Sequence, residues 1–289
     1  MPFAPCTSMS GDDVWKRAPR ADEHVFVFIC GLHRSGTSIL FRCLRQHPDF
    51  SGFHDTGVAE DEGQHLQSVY PPAYVHGGPG KFVFDPRSRL TEKSPLVTDE
   101  NRIRLFYQWS RFWDMDRRFL LEKSPPNLLK TRFLQAMFPN TRFITIIRHP
   151  IGAGLATKKW SHTRVTSLIE HWVRAHEAFV EDMAHLGHVH VLRYEDFVAD
   201  PQGTLDEIFR FLGTEPVTNQ LEVRNVNEKY FRMWEEMLAT PLSRWDVRRA
   251  IRRFEARVRP FGYSLEDPRA LHEMSIPRRK GGAGPERDE

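Results

Sequence analysis

The chain has 289 residues, 40% of them apolar and 27% charged, and a formal net charge of +3. That length suits one sizeable α/β domain with a large core, and a charge so near zero gives no sign of a nucleic-acid partner. No window approaches the roughly 18 apolar residues of a membrane span, residues 1–24 lack the apolar core of a signal peptide, and the 3 cysteines make no disulfide framework. Together these features predict a cytoplasmic protein.

Residues 1–22 mix Pro, Ser, Gly and charge without periodicity and are expected to form a disordered arm. Residues 25–30, VFVFIC, read as a buried parallel strand. A polar loop bracketed by Gly31 and Gly36 follows, then Ile39, Leu40, Cys43 and Leu44 at helical spacing. Residues 50–53 could be a short second strand. Residues 54–116 break the βα rhythm with an acidic patch, a Pro-rich and a Gly-rich stretch, and a helical piece carrying Phe106, Trp109 and Trp113. So long and turn-rich a segment is expected to be an acceptor-side insert or lid, or an excursion packing on its own aromatics.

Regular structure resumes with a strand at 119–121, a helix over 127–138 ended by Pro139 and Asn140, and a strand at 143–147. A long amphipathic helix then carries its apolar face from Val165 to Met183 and ends at Gly187. After a strand at 189–192, Asp200 caps a helix that opens on Pro201 and closes at Gly213. Helices around 227–239 and 242–258 follow, the second rich in arginine, and residues 266–289 are expected to be a disordered tail. The reading is one α/β domain over 23–265, a P-loop-like three-layer fold with a central parallel β-sheet flanked by helices.

A strand, a glycine-bracketed loop and a helix N-terminus make a phosphate cradle. The loop fits G-x-x-x-x-G-K-[ST] at Gly31, Gly36 and Ser38, but Thr37 stands where the phosphate-reaching lysine belongs. Ligands of parallel sheets gather at the carboxyl ends of the strands. Three predicted strands end there in Arg34 with its loop, in Lys123-Ser124 and in Arg148, a set suited to a ligand with two separate phosphates. The 14 histidines show no H-x-x-x-H pair with a third ligand, so no metal is expected. A P-loop kinase or other phosphoryl transferase, disfavoured by Thr37, and a non-catalytic nucleotide-binding protein remain the alternatives.

Three blocks in this order, GLHRSGTS, LEKSPPNLLKTRFLQAMFPNTRFITIIRHP and VLRYEDFVADPQGTLDEIFRFLG, resemble the sulfotransferases that use 3′-phosphoadenosine 5′-phosphosulfate (PAPS), nearer their bacterial and tyrosylprotein-type branches. The likeness spans about residues 25–263. It implies that Arg34, Ser35, Gly36, Thr37 and Ser38 hold the 5′-phosphosulfate, that Arg148 begins the 3′-phosphate motif, and that no metal takes part. Ala156 stands at that motif's usual serine, with Thr157 or Ser161 as replacements. Tyr194 and Arg224 match further cofactor contacts, and Lys123 matches a catalytic lysine. His54 falls at the place of the catalytic glutamate, with Asp55, Glu60 and Glu62 as rivals for the general base. The implied reaction is metal-independent in-line transfer of a sulfuryl group to an acceptor hydroxyl, on a carbohydrate, phenol, lipid alcohol or peptide. The sequence carries no sign of oligomeric state.

Overall fold

A computed structural model of the chain describes residues 23–138 and 140–281. The expected arm over 1–22, Cys6, Pro139 and the last eight residues lie outside them. The sheet has strand order β2-β3-β1-β4-β5-β6, from β1 (Val25–Gly31), β2 (Phe50–Gly52), β3 (Phe119–Lys123), β4 (Thr141–Ile147), β5 (Val189–Arg193) and β6 (Arg279–Lys280). The first five are parallel, and β6 is antiparallel to β5.

Side-chain alternation along β1 builds both layers of core. Phe26, Phe28 and Cys30 point to one face, where they meet Trp109, Phe138 and Phe143. Val27 and Ile29 point to the other, against Leu40 and Leu44 of α1 (Thr37–Leu44) and Leu205 and Phe209 of α7 (Pro201–Leu212). The first face is covered by α2 (Asp99–Ser110), α3 (Thr131–Met137), α5 (Val165–Met183), α8 (Asn227–Ala239) and α9 (Pro241–Val258). Two further helices, α4 (Pro150–Ser161) and α6 (Tyr194–Ala199), follow directly on β4 and β5.

Several elements differ from the sequence reading. The expected helix over 127–138 is a 3₁₀ turn, Pro125–Leu129, followed by α3. Leu90 N–H takes the Leu129 carbonyl at 3.0 Å, so that carbonyl is lost to a continuous helix. The helix α4 had no periodic signal, because Pro150 to Thr157 are buried on every side. Its start is set by His149, whose Nδ1 accepts from Ile151 N–H at 3.2 Å. The following α5 stops at Met183, four residues before Gly187. Asp200 and Gly213 bound α7 as expected, Asp200 accepting from Gly203 N–H at 2.9 Å and Gly213 adopting φ 74°. The assumed tail is partly structured: Met274 and Ile276 are buried, and β6 lies beyond them.

Residues 54–116 hold short 3₁₀ turns and then α2. Their tryptophans are core. Trp109 Nε1 donates to the Gly63 carbonyl at 3.0 Å and Trp113 Nε1 to the Leu121 carbonyl at 2.8 Å, while both rings pack with Phe53. The part of this segment that reaches the strand ends is the loop around Glu60 and Glu62.

Candidate active site

The carboxyl ends of β1, β3 and β4 open on a cavity of about 280 Å³. Strand β1 lies between β3 and β4, so the crevice forms where the strand order reverses direction. The cradle loop makes one wall, with Arg34, Gly36, Thr37 and Ser38 lining it. The first-turn N–H groups of α1 have no intrahelical acceptor, which leaves them for an anion. Gly36 is required: its φ is 97°, and a Cβ there would stand 2.7 Å from the Tyr194 ring. Ser35 is buried behind the loop, and its Oγ has no partner.

Arg148 borders the cavity beside the cradle loop and is held in place by its neighbours. Its Nε donates to Asn227 Oδ1 at 2.8 Å and its Nη1 to the Arg34 carbonyl at 2.6 Å. The guanidinium lies over the rings of Tyr194 and Tyr230, at 4.5 and 5.4 Å. Asn227 is held in turn by Glu195, which also takes the His149 N–H and the Tyr263 hydroxyl. The residue is buried, yet Nη2 has no partner. A buried guanidinium nitrogen in that state is an exception that calls for an explanation.

At the end of β3, Lys123 is 1% exposed, and its Nζ donates to the Glu60 carbonyl at 2.9 Å and to Glu62 Oε1 at 3.3 Å. Lys123 therefore stands behind the two glutamates, and these line the cavity. Glu122, wholly buried, accepts from Gly63 N–H at 2.9 Å, from Ser124 Oγ at 2.5 Å and from Asn127 Nδ2. Burial pushes its pKa up to about 7. The loop carrying Glu60 and Glu62 is thus pinned to the strand that carries Lys123.

Three expected site residues stand elsewhere. His54 is exposed and off the cavity wall, its Nδ1 only 3.3 Å from the Gly52 carbonyl. Positive φ at Asp55 turns the chain outward just after it. Thr157 turns its hydroxyl to the Ala153 carbonyl one helical turn back, at 2.8 Å, and to the His33 carbonyl at 3.4 Å, and borders a small separate void that His33 also lines. Arg224 pairs with Glu222 at 2.6 Å, and only its carbonyl meets the site's framework, accepting from Tyr194 Oη at 2.8 Å. Conversely, His33, Arg42 and Trp160 line the cavity without having been expected there. Arg42 follows Ser38 by one helical turn, a spacing that could have found it. Trp160 is 45% exposed with Arg34 5.2 Å from its ring; it stands where tyrosylprotein-type relatives carry a second arginine, and Lys158, Lys159 and Arg164, the expected substitutes, do not line the cavity.

The model of the sulfotransferase family matches residues 27–219. The chain belongs to the sulfotransferase family. That match takes in the cradle, Lys123, Arg148 and Tyr194, so the family's core is the part of the chain that builds this cavity. Among solved structures, the chain is similar to sulfotransferase STF1 of Mycobacterium tuberculosis (19% identity, 70% of this chain and 72% of that one, TM-score 0.43). It is also similar to a sulfotransferase of Alicyclobacillus acidocaldarius (18% identity, 78% and 93%, TM-score 0.43). A third likeness is to mouse sulfotransferase SULT7A1, solved with PAP (16% identity, 80% and 73%, TM-score 0.36). At these values the assignment stands on the family model alone. No curated protein matches the chain's sequence.

Proposed function

We propose that the chain moves the sulfuryl group of 3′-phosphoadenosine 5′-phosphosulfate to an acceptor hydroxyl by metal-independent in-line displacement. The observation that carries this reading is Arg148: a buried guanidinium bordering a glycine-loop cavity, locked through two of its nitrogens, with Nη2 unpartnered. Leaving such a group unsatisfied is costly, and a phosphate oxygen satisfies it with a charge-assisted bond. Arg34 and Arg42 supply further positive charge, and the unpartnered Ser35 hydroxyl lies behind the loop. This donor set fits a ligand with two separated phosphate groups, and Thr37 in place of the Walker lysine disfavours the kinase alternative.

The donor supplies an activated sulfuryl group, whose departure builds negative charge on the phosphate oxygen. In this reading the loop N–H groups bind the 5′ end and Arg148 binds the 3′-phosphate. Lys123 contributes a fixed positive charge in the low-dielectric wall, where it favours the developing negative charge over the ground state. Glu62 takes the acceptor's proton: it borders the cavity, and its carboxylate is held by Lys123 and by Gln64 Nε2 at 2.5 Å. Glu60, exposed at the rim and 3.4 Å from Ser38 Oγ, is the second candidate for that step.

The deciding experiment supplies radiolabelled PAPS, with a chelator present, against a panel of sugar, phenol, lipid-alcohol and tyrosyl-peptide acceptors. Label reaching one acceptor class is the expected result. Donor binding without transfer to any of them would leave a nucleotide-binding protein, and magnesium-dependent transfer from ATP would make it a phosphoryl transferase.

A further inference from the structure

The helix α9 buries Val247, Ala250, Phe254 and Val258 and, by its 3.6-residue period, turns Leu242, Trp245, Arg248, Arg249 and Arg252 outward. Two kinds of arginine follow from this placement. Arg253, Arg257 and Arg259 pair with Glu170, Glu177 and Glu255, and Arg244 donates to the Leu238 and Ala239 carbonyls at the end of α8. Arg248 and Arg252 are exposed and have no partner among the described residues, and Arg249 lies 5.2 Å from the Trp245 ring. In the first turns of the same helix, before these arginines, stand Leu242, 95% exposed, and Trp245, 54% exposed. Exposed apolar side chains and unpaired arginines thus share one helix face.

We infer that this face of α9 docks on an anionic lipid bilayer. Free arginines are drawn to acidic headgroups, tryptophan settles at the interface, and an exposed aliphatic side chain gains from entering the acyl boundary. An acidic polysaccharide could satisfy the arginines and stack on Trp245, but it offers no apolar phase to Leu242. The docked face is also braced to the cavity described above. Asp246, on the same helix, accepts from Val165 N–H at 2.8 Å and from Thr166 Oγ1 at 2.6 Å. Residues 162–164 join that anchor to the end of α4, where Trp160 stands in the wall of the cavity. A bilayer held on α9 therefore lies a short, fixed stretch of chain from the site.

The test uses the full chain without donor or acceptor, so its outcome is separate from that of the transfer assay. The chain should sediment with phosphatidylcholine vesicles containing phosphatidylglycerol, less so as salt rises, and not with phosphatidylcholine alone. Each arginine at an anionic surface is worth about a fivefold gain in partitioning, so the double variant Arg248→Glu, Arg252→Glu should bind about 25-fold more weakly or worse. The double variant Leu242→Ser, Trp245→Ala keeps the charge and should still lose partitioning. Failure of the wild-type chain to sediment with the anionic vesicles overturns the proposal, as does unchanged binding by either double variant. Arginine-dependent binding to heparin without vesicle binding would make the occupant an acidic polysaccharide and the bilayer assignment wrong.

Discussion

The main-chain N–H of Gly63 donates to Glu122 Oε1 over 2.9 Å, and a Cβ on Gly63 would stand only 2.5 Å from that same oxygen. This one bond ties the glutamate-bearing loop to β3. Ser124 doubles it, since its Oγ donates to Glu122 and accepts from Gln64 N–H at 3.0 Å. Burial holds the Glu122 pKa at about 7, above its unfolded value of about 4.3. Between those values the folded chain keeps a proton that the unfolded chain has lost. The group's contribution to stability is thus complete below the unfolded pKa and declines as pH rises through the folded one. Glu122→Gln should remove that decline, so its urea midpoint should gain on the wild type between about pH 5 and about pH 8. Midpoints that keep a constant difference across this range would show that Glu122 titrates normally.

Arg148→Ala should weaken binding of 3′-phosphoadenosine 5′-phosphate by about 10-fold or more, as expected for loss of a charge-assisted bond worth about 1.5–3 kcal/mol. A ligand lacking the 3′-phosphate should be affected far less. Calorimetry with both ligands separates the cases, and equal losses would remove the 3′-phosphate assignment.

For Lys123→Ala the expected loss is in turnover, because the variant frees Glu62 Oε1, which Lys123 Nζ holds at 3.3 Å, and removes a fixed positive charge from behind the site. Because Lys123 sits behind Glu62 and off the cavity surface, product-nucleotide affinity should change little. Normal kcat with a raised donor KM would make it a phosphate clamp instead.

Glu62→Gln should cost about 10²–10⁴ in kcat, the usual weight of a general base, with donor affinity intact. Glu60→Gln and His54→Ala, measured beside it with one good acceptor, should retain most activity. An inactive Glu60→Gln variant and an active Glu62→Gln one would transfer the role to the rim glutamate, and an inactive His54→Ala would restore the histidine.

The cradle, β1, Arg148 and the caps of α7 were legible because each is encoded within a few neighbouring residues. A strand's apolar run, a glycine pair and an Asp-Pro start leave local marks. The position of His54 was not legible: it was inferred by spacing from His47-Pro48, whereas the backbone turns outward at Asp55, φ 52°. The glutamates reach the cavity because Gly63 and Gln64 are bonded to β3 about sixty residues later, a pairing that sequence spacing cannot announce. The placing of Thr157 was hidden for the reverse reason, its hydroxyl being turned to the carbonyls of Ala153, at 2.8 Å, and His33, at 3.4 Å. The aromatic piece around Trp109 offered two readings at the outset, and burial assigns it to the core.

The antiparallel strand β6 changes what can be trimmed from this chain. Val191 N–H reaches back to the Arg278 carbonyl at 2.7 Å, and Lys280 Nζ donates to the Met183 and Ala184 carbonyls. Cutting after residue 265, where the sequence suggests an expendable end, would strip the cover from β5 and bare Val189 and Val191 beside it. An uncovered β-branched edge pairs readily with a second such edge. The shortened chain would then precipitate on overexpression, while one ending at residue 281 would stay dispersed.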